Sequence, residues 1–265
     1  ILSLLGDVIQ FFRRVPLAEF LFAPEWTPLF AEPRYGIAPL LAGTFLVTAI
    51  ALFVAVPLGL ALAVHVSEYL PPDKRARVLG ALELFEGIPT VVFGYFALLF
   101  VTPLLQKVIP GLSLFNPLSA GLVMGFAILP YVSNVAADAM QSVPRSIREA
   151  AYALGARPYE VALKVVLPAA LSGVIAAIIL AASRAIGETM IVAIAAGQRP
   201  TLTLDPRETI ATMTSYIVQA ATGDQPTGST AYYALFAVGF TLFLLTLALN
   251  VLAQYIVERY RERYE

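Results

Sequence analysis

Arg184 and Glu188 stand four residues apart in SRAIGETM (183–190), inside the apolar run VVLPAALSGVIAAIILAASRAIGETMIVAIAAG (165–197). A charge at the centre of a membrane span costs about 2.5–3.5 kcal/mol on insertion scales. Two such residues therefore need each other, another partner or water. On a continuous helix a spacing of four puts them on one face, about 6 Å apart along the axis, where they can reach each other. Two chemistries fit. An internal salt bridge would lock a helical bundle, although buried pairs of this kind often add little net stability. Alternatively, the guanidinium offers a planar fork that takes two oxygens of a phosphate or carboxylate. Glu188 would then hold Arg184 while the site is empty and give way to the anion. Gly187, between them, leaves room for a neighbouring helix or a ligand.

Other chemistry is scarce. The chain has no cysteine, which excludes disulfides, thiolate nucleophiles and cysteine-bound metals, and its single histidine, His65, excludes a histidine cluster. No phosphate-binding G-x-x-x-x-G-K-[ST] loop, H-E-x-x-H, G-x-S-x-G or dinucleotide fingerprint occurs. The chain is thus expected to be neither an enzyme nor an ATP-binding subunit. Energy must come from another subunit or from an ion gradient.

The elements that must position Arg184 are membrane helices. Of 265 residues 59% are hydrophobic and 13% charged, with mean hydropathy +0.79; a soluble domain has about a quarter charged. A net charge of −1 gives no overall attraction to nucleic acid. Five stretches are long and apolar enough to span: 39–66, 87–106, 117–137, 165–197 and 231–257. The opening ILSLLGDVIQFF (1–12) is too short to cross and reads as the end of a truncated sixth span. The expected organisation is residues 1–38, that span end with an extracytoplasmic segment, followed by a transmembrane domain over 39–265.

Lys74, Arg75 and Arg77, then Arg145, Arg148, Arg157 and Lys164, then Arg259, Arg261 and Arg263 fall on one side of an alternating chain. They outnumber the basic residues of the other side, which makes theirs the cytoplasmic side. Segments 13–38 and 199–230 then face outward, and 208–221 has the apolar spacing of a short surface helix.

One cytoplasmic loop, SVPRSIREAAYALGARPYEVALKVVLP (142–168), reads as helix, tight turn, helix. Pro144 and Pro158 suit first turns, and Gly155 suits a left-handed helix end. Ile147, Ala150, Ala151 and Leu154 fall on one face of the first helix. The helix could rest on lipid headgroups, but it lacks the large apolar side chains of an interfacial anchor, so docking into a protein groove fits better.

Glu149, Ala150, Ala151, Gly155, Val165, Leu167 and Pro168 fill the EAA-loop pattern of ABC importer membrane subunits: Glu-Ala-Ala, three residues, Gly, nine residues, Ile, any residue, Leu-Pro. The one departure is Val165 for isoleucine. SRAIGET, EWTPLFAEPRYGIAPLLAGT (25–44) and TSYIVQAATGDQPTGSTAYYALFAVG (214–239) resemble the phosphate-specific (Pst) permeases, the PstC type more than the PstA type, over nearly the whole chain from about Ala23. The resemblance implies an all-α, type I importer bundle in a bacterial or archaeal inner membrane, with six spans in the family. It implies a loop that inserts as a coupling helix into an ATPase subunit, through Glu149, Ala150, Ala151, Gly155, Leu167 and Pro168. It also implies phosphate as cargo, with Arg184 and Glu188 as the residues implicated in its transport. The implied partners are a PstA-like permease, a PstB-like ATPase dimer carrying ATP and Mg, and a PstS-like extracytoplasmic binding protein. Another oxyanion such as sulfate or molybdate, or an ion-coupled carrier without an ATPase, is the competing reading.

Smaller features carry weaker expectations. Glu83 and Glu86 are read as interfacial or as partners of Lys74, Arg75 or Arg77, with a pathway role less favoured. Asp138 is expected to pair with a loop arginine, and His65 to be interfacial. Tyr131, Ser133 and Asn134 would line a cavity or bond between helices.

Overall fold

The computed structural model describes residues 2–30, 32–223 and 225–260. Among them the fold is all-α, and an isolated antiparallel bridge joins Trp26 and Tyr35. Helices α1 (Leu2–Phe12) and α2 (Leu17–Phe22) precede α3 (Ala38–Val64), which continues into a π-helical turn, His65–Tyr69. Next come α4 (Pro72–Glu86), α5 (Thr90–Phe96), a π turn at Ala97–Val101, α6 (Thr102–Gln106) and α7 (Pro117–Gln141). The loop forms α8 (Arg145–Ala153) and α9 (Pro158–Val161), then a π turn at Ala162–Val166 and α10 (Leu167–Ala169). α11 (Leu171–Ile186), α12 (Met190–Ala195), α13 (Met213–Thr222) and α14 (Thr230–Tyr260) complete the chain. Arg261 and Arg263, used above to assign sidedness, lie outside the described residues.

Among the described residues three helices are individually long and apolar enough to cross a bilayer: Ala38–Tyr69, Pro117–Gln141 and Thr230–Arg259. They coincide with three of the expected spans. The other two are bent. Pro72–Glu86 meets Thr90–Gln106 at 78°, and Pro158–Ala169 meets Leu171–Ile186 at 73°; each bent pair taken as one crossing gives five. Proline explains both bends. Pro89 has no N–H to give and pushes Ile88 out of the helical region. Pro168 likewise leaves the Lys164 carbonyl without its helical donor, and the wider π turn before it absorbs the mismatch.

The run 165–197 is therefore not one helix. It bends near Ala170 and breaks again at 187–189, between α11 and α12. The helix expected over 208–221 starts only at Met213. Thr212 stops it with a reciprocal cap, its Oγ1 accepting from Ser215 N (3.0 Å) while Ser215 Oγ accepts from Thr212 N (2.9 Å). Nor is α13 a surface helix: Met213, Thr214, Ser215, Tyr216 and Ala220 are buried, and Met213 N donates to Thr44 Oγ1 of α3 at 3.0 Å.

The chain forms two compact units. The first comprises Ile1–Ala51, Pro89–Met124 and Ala185–Leu247, the second Leu52–Ile88, Gly125–Arg184 and Ala248–Glu265. The first is anchored by edge-to-face aromatic contacts, Phe11 on Phe20 at 5.5 Å and Trp26 on Tyr216 at 4.9 Å. The second has a core of small and medium side chains, among them Ala63, Ala136, Met140, Val143, Val161 and Val166. Small residues let its helices approach closely. A Cβ on Gly173 would lie 2.5 Å from Ala139 Cβ, and one on Gly59 2.8 Å from Val132 Cγ1. Large apolar side chains such as Phe53 (82% exposed) face outward, as lipid-facing residues do.

Candidate functional site

In the second unit Arg184 occupies the last turn of α11, where the free carbonyl ends favour a cation. Its Nη1 lies 3.3 Å from Glu86 Oε2, and the side chains are 42% and 24% exposed. Glu86 is the last residue of α4, just before the Pro89 bend. A carboxylate at a helix C-terminus is electrostatically misplaced, and the guanidinium offsets that. The guanidinium carbon also sits 5.2 Å from the centre of the Tyr131 ring on α7, a cation–π distance. One turn along α7 from Tyr131, the Asn134 side-chain oxygen is buried without a hydrogen-bond partner among the described residues. Ser133 instead bonds between helices, donating to the Gly59 carbonyl at 3.1 Å.

Glu188 belongs to the first unit and does different work. Helix α11 has ended before it, so the four-residue spacing no longer implies a shared helical face. Its Oε1 accepts from the backbone N–H groups of Met190 (3.0 Å) and Ile191 (3.3 Å), which open α12. Its carbonyl accepts from Thr214 Oγ1 at 2.8 Å. The carboxylate thus stabilises a helix start by hydrogen bonding and charge. α12 packs on α5 at Gly94, whose Cβ would lie 3.1 Å from the Met190 carbonyl oxygen. The expected Arg184–Glu188 pairing is replaced: Glu86 takes the arginine, and backbone N–H groups take Glu188.

The sequence leaves Glu86 interfacial or paired with Lys74, Arg75 or Arg77, with a pathway role less favoured; in the structure its ion-pair partner is Arg184. Arg75 instead donates to the carbonyls of Val66 (3.0 Å) and Ser67 (2.6 Å). Asp138 is exposed and makes no ion pair among the described residues, and the His65 ring stacks on Tyr69 at 6.0 Å. The signal that could have found Glu86 is weak: a carboxylate three residues before a helix-breaking proline.

The loop folds as helix, turn, helix. Pro144 caps α8, Pro158 opens α9, and Gly155 ends the first helix at φ +84°. The faces differ from the expected set. Ile147 and Ala151 pack on the second unit's core, whereas Ala150 and Leu154 point out with Glu149, Leu154 being 90% exposed. Leu167 is half-buried and Pro168 exposed at the 73° bend.

The first unit also holds a cavity of about 590 Å³ lined by Trp26, Phe30, Phe115, Arg199 and Tyr216 among others. It includes neither Arg184 nor Glu188, and most of its walls come from segments 13–38 and 199–230.

The family of binding-protein-dependent transport system inner membrane components matches residues 55–262. The chain is 32% identical over 241 residues to the Bacillus subtilis "Probable ABC transporter permease protein YqgH", covering 91% of this chain and 78% of that one. It is 32% identical over 262 residues to "Phosphate transport system permease protein PstC" of Xylella fastidiosa, with the same coverage. Against PstC 1 of Mycobacterium tuberculosis it is 34% identical, covering 85% and 73%. Among solved structures, the bacterial alginate ABC transporter in complex with an alginate-bound periplasmic protein aligns at TM-score 0.62 and 16% identity, over 98% of this chain and 88% of that one. The inward-facing MetNI methionine ABC transporter aligns at TM-score 0.57 and 18% identity, over 83% and 94%. The broken helices, the EAA-patterned loop and these matches agree: the chain is a multi-pass ABC importer permease of the binding-protein-dependent inner membrane component family, with phosphate permeases of the PstC type among its relatives.

Proposed function

We propose that this chain is the membrane-spanning subunit of an ATP-driven importer of inorganic phosphate, seated in the inner membrane. The observation that carries the reading is Arg184, a partly exposed guanidinium held at a helix end in an otherwise apolar run, with one carboxylate and an aromatic face as neighbours. A forked cation suits a tetrahedral oxyanion, and substrate sites of transporters form where spanning helices are discontinuous. The relatives' description as phosphate transport permeases supports phosphate as the cargo.

Glu86 is the carboxylate placed to exchange with the anion. Without it the cation would hold phosphate too firmly to release it. Glu188 fixes the chain after α11 by capping α12. The partners are a second, PstA-like permease completing the pathway, a PstB-like ATPase dimer that binds ATP and Mg, and a PstS-like binding protein delivering phosphate to the outer segments. The ATPase docks on the exposed side of α8 at Glu149 and Ala150. Gly155 supplies the turn, Ala151 seats the helix on the core, and Leu167 and Pro168 form the bend that follows.

The test is ATP-dependent phosphate uptake by vesicles containing the reconstituted complex, wild type against Arg184→Gln, with sulfate and molybdate as competitors. Uptake that persists in an assembled Arg184→Gln complex would refute the anion role. Uptake that persists without ATP would favour an ion-coupled carrier.

A further inference from the structure

Arg148, one residue before Glu149 on α8, makes four hydrogen bonds to three residues. Its Nε and Nη2 donate to the two carboxylate oxygens of Glu68 at 3.1 and 3.0 Å. Its Nη1 and Nη2 donate to the carbonyls of Val143, just past α7, and Met140, in the last turn of α7. Glu68 lies in the π turn that ends α3, 80 residues away in sequence. It accepts a further bond from Ser67 Oγ at 2.8 Å. The two side chains are only 17% and 6% exposed. The bidentate geometry is the strong form of a carboxylate–guanidinium pair. Arg75 fastens the same π turn from α4 and reaches Gln141 Oε1 of α7 at 3.1 Å.

The rest of α8 is lightly held. It is nine residues long, and its inward contacts are the half-buried Ile147 and Ala151, whose combined apolar area is small. A force on its exposed face must pass into the permease through few contacts, and separating a buried ion pair is far costlier than sliding an alanine. Without Arg148, α8 would reach the rest of its unit through these apolar contacts and along its own chain, to α7 and α9. With it, α8 is tied directly to the end of the first unbroken span.

We infer that Arg148 and Glu68 are positioning residues that deliver displacement of α8 to α3, so that ATPase motion reaches this span without passing along the chain. This inference rests on the reading of α8 as the ATPase-docking helix. The test uses the complete complex, with partner permease, ATPase and binding protein, in liposomes, and reads phosphate moved per ATP hydrolysed. Glu68→Gln keeps the shape and an acceptor but removes the charge. The ATPase should still co-purify and hydrolyse ATP, while phosphate per ATP falls about fivefold or more, the lower range of measured couplings between sites. A purely structural role would lower the yield of complex and leave the ratio per complex unchanged; that result overturns the inference. Should Glu68→Gln fail to assemble, Arg148→Lys is read in the same way, because a single ammonium cannot span Glu68 and both carbonyls. An unchanged ratio there, or failure of both variants to assemble, assigns the pair to folding alone. A wild-type complex without ATP-driven phosphate uptake would instead refute the importer reading, and the two failures are distinguishable.

Discussion

Replacing Glu86 with glutamine should make this permease bind phosphate more tightly and move it more slowly. At 3.3 Å the gross attraction between Arg184 and Glu86 is about 5 kcal/mol at an effective dielectric near 20. Both groups are partly exposed, at 42% and 24%, so water and side-chain entropy remove most of that. Exposed pairs retain up to about 1 kcal/mol, and buried charge pairs cost about 2–5 kcal/mol when one partner is lost. A net value of about 1–2 kcal/mol lies between them. An incoming anion must overcome this amount to claim the guanidinium, which corresponds to about 5–30-fold in an equilibrium constant. Glu86→Gln removes the competitor and keeps the shape. Equilibrium binding of radiolabelled phosphate to the permease–ATPase complex in nanodiscs, without the binding protein, should tighten by about that factor. The maximal uptake rate of the full complex should fall, because release is slowed. Tighter binding must also vanish in Glu86→Gln combined with Arg184→Gln. If Glu86→Gln binds phosphate as the wild type does while Arg184→Gln abolishes binding, Glu86 is not the exchanging carboxylate and the reasoning fails.

Arg184→Lys should transport less well than wild type but better than Arg184→Gln in the vesicle uptake assay, because an ammonium keeps the charge and loses the fork. Gly155→Val should destabilise the loop by about 1–2 kcal/mol, since φ +84° is left-handed; retention of the ATPase during purification should drop. Gly173→Val puts a Cβ 2.5 Å from Ala139 Cβ and should cost about 1–3 kcal/mol by overpacking, read as a lowered melting temperature of the purified complex. Asp205 is bonded by Arg207, whose guanidinium and backbone N–H depress its pKa from 3.8 to about 2. The pair should therefore hold segment 205–207 throughout the range above the ordinary carboxylate pKa and release it only as pH falls toward about 2. Limited proteolysis near Arg207 should be unchanged between pH 7 and pH 5.

Much of the architecture was legible because membrane insertion forces long apolar runs. The unbroken spans were found to within a few residues, since every backbone group in lipid must bond within its own helix. The loop was legible for another reason: Pro144, Gly155 and Pro158 each restrict the backbone locally, and local restrictions survive tertiary packing. The helix breaks were not legible. Hydropathy counts the apolar residues around Gly187, Glu188 and Thr189 and is silent on where helical bonding stops. α12 begins at Met190 because Glu188 gives its carboxylate to the first N–H groups, a capping role that a four-residue spacing cannot signal. The partner of Arg184 lay beyond sequence reasoning, because Glu86 is 98 residues away and only the fold brings it near.

The same fact alters what a charge in a membrane helix means here. Had Arg184 and Glu188 faced each other on one continuous helix, the pair would have moved as a rigid piece, and motion between helices could not have separated it. Arg184 and Glu86 instead stand on α11 and α4, each at a helix end, Arg184 before the break at 187–189 and Glu86 before the Pro89 bend. A pair split across two elements has a strength that depends on how those elements are disposed, whereas a pair within one helix does not. A conformational change that separated the ends of α4 and α11 by even a few ångströms would free the guanidinium for an anion, and one that closed them would expel it. Ligand affinity would then change with conformation, which is the differential interaction any such switch requires. On the function proposed above, one ion pair placed at two helix ends serves both as the resting state of a partly exposed cation and as the element that the transport cycle acts upon.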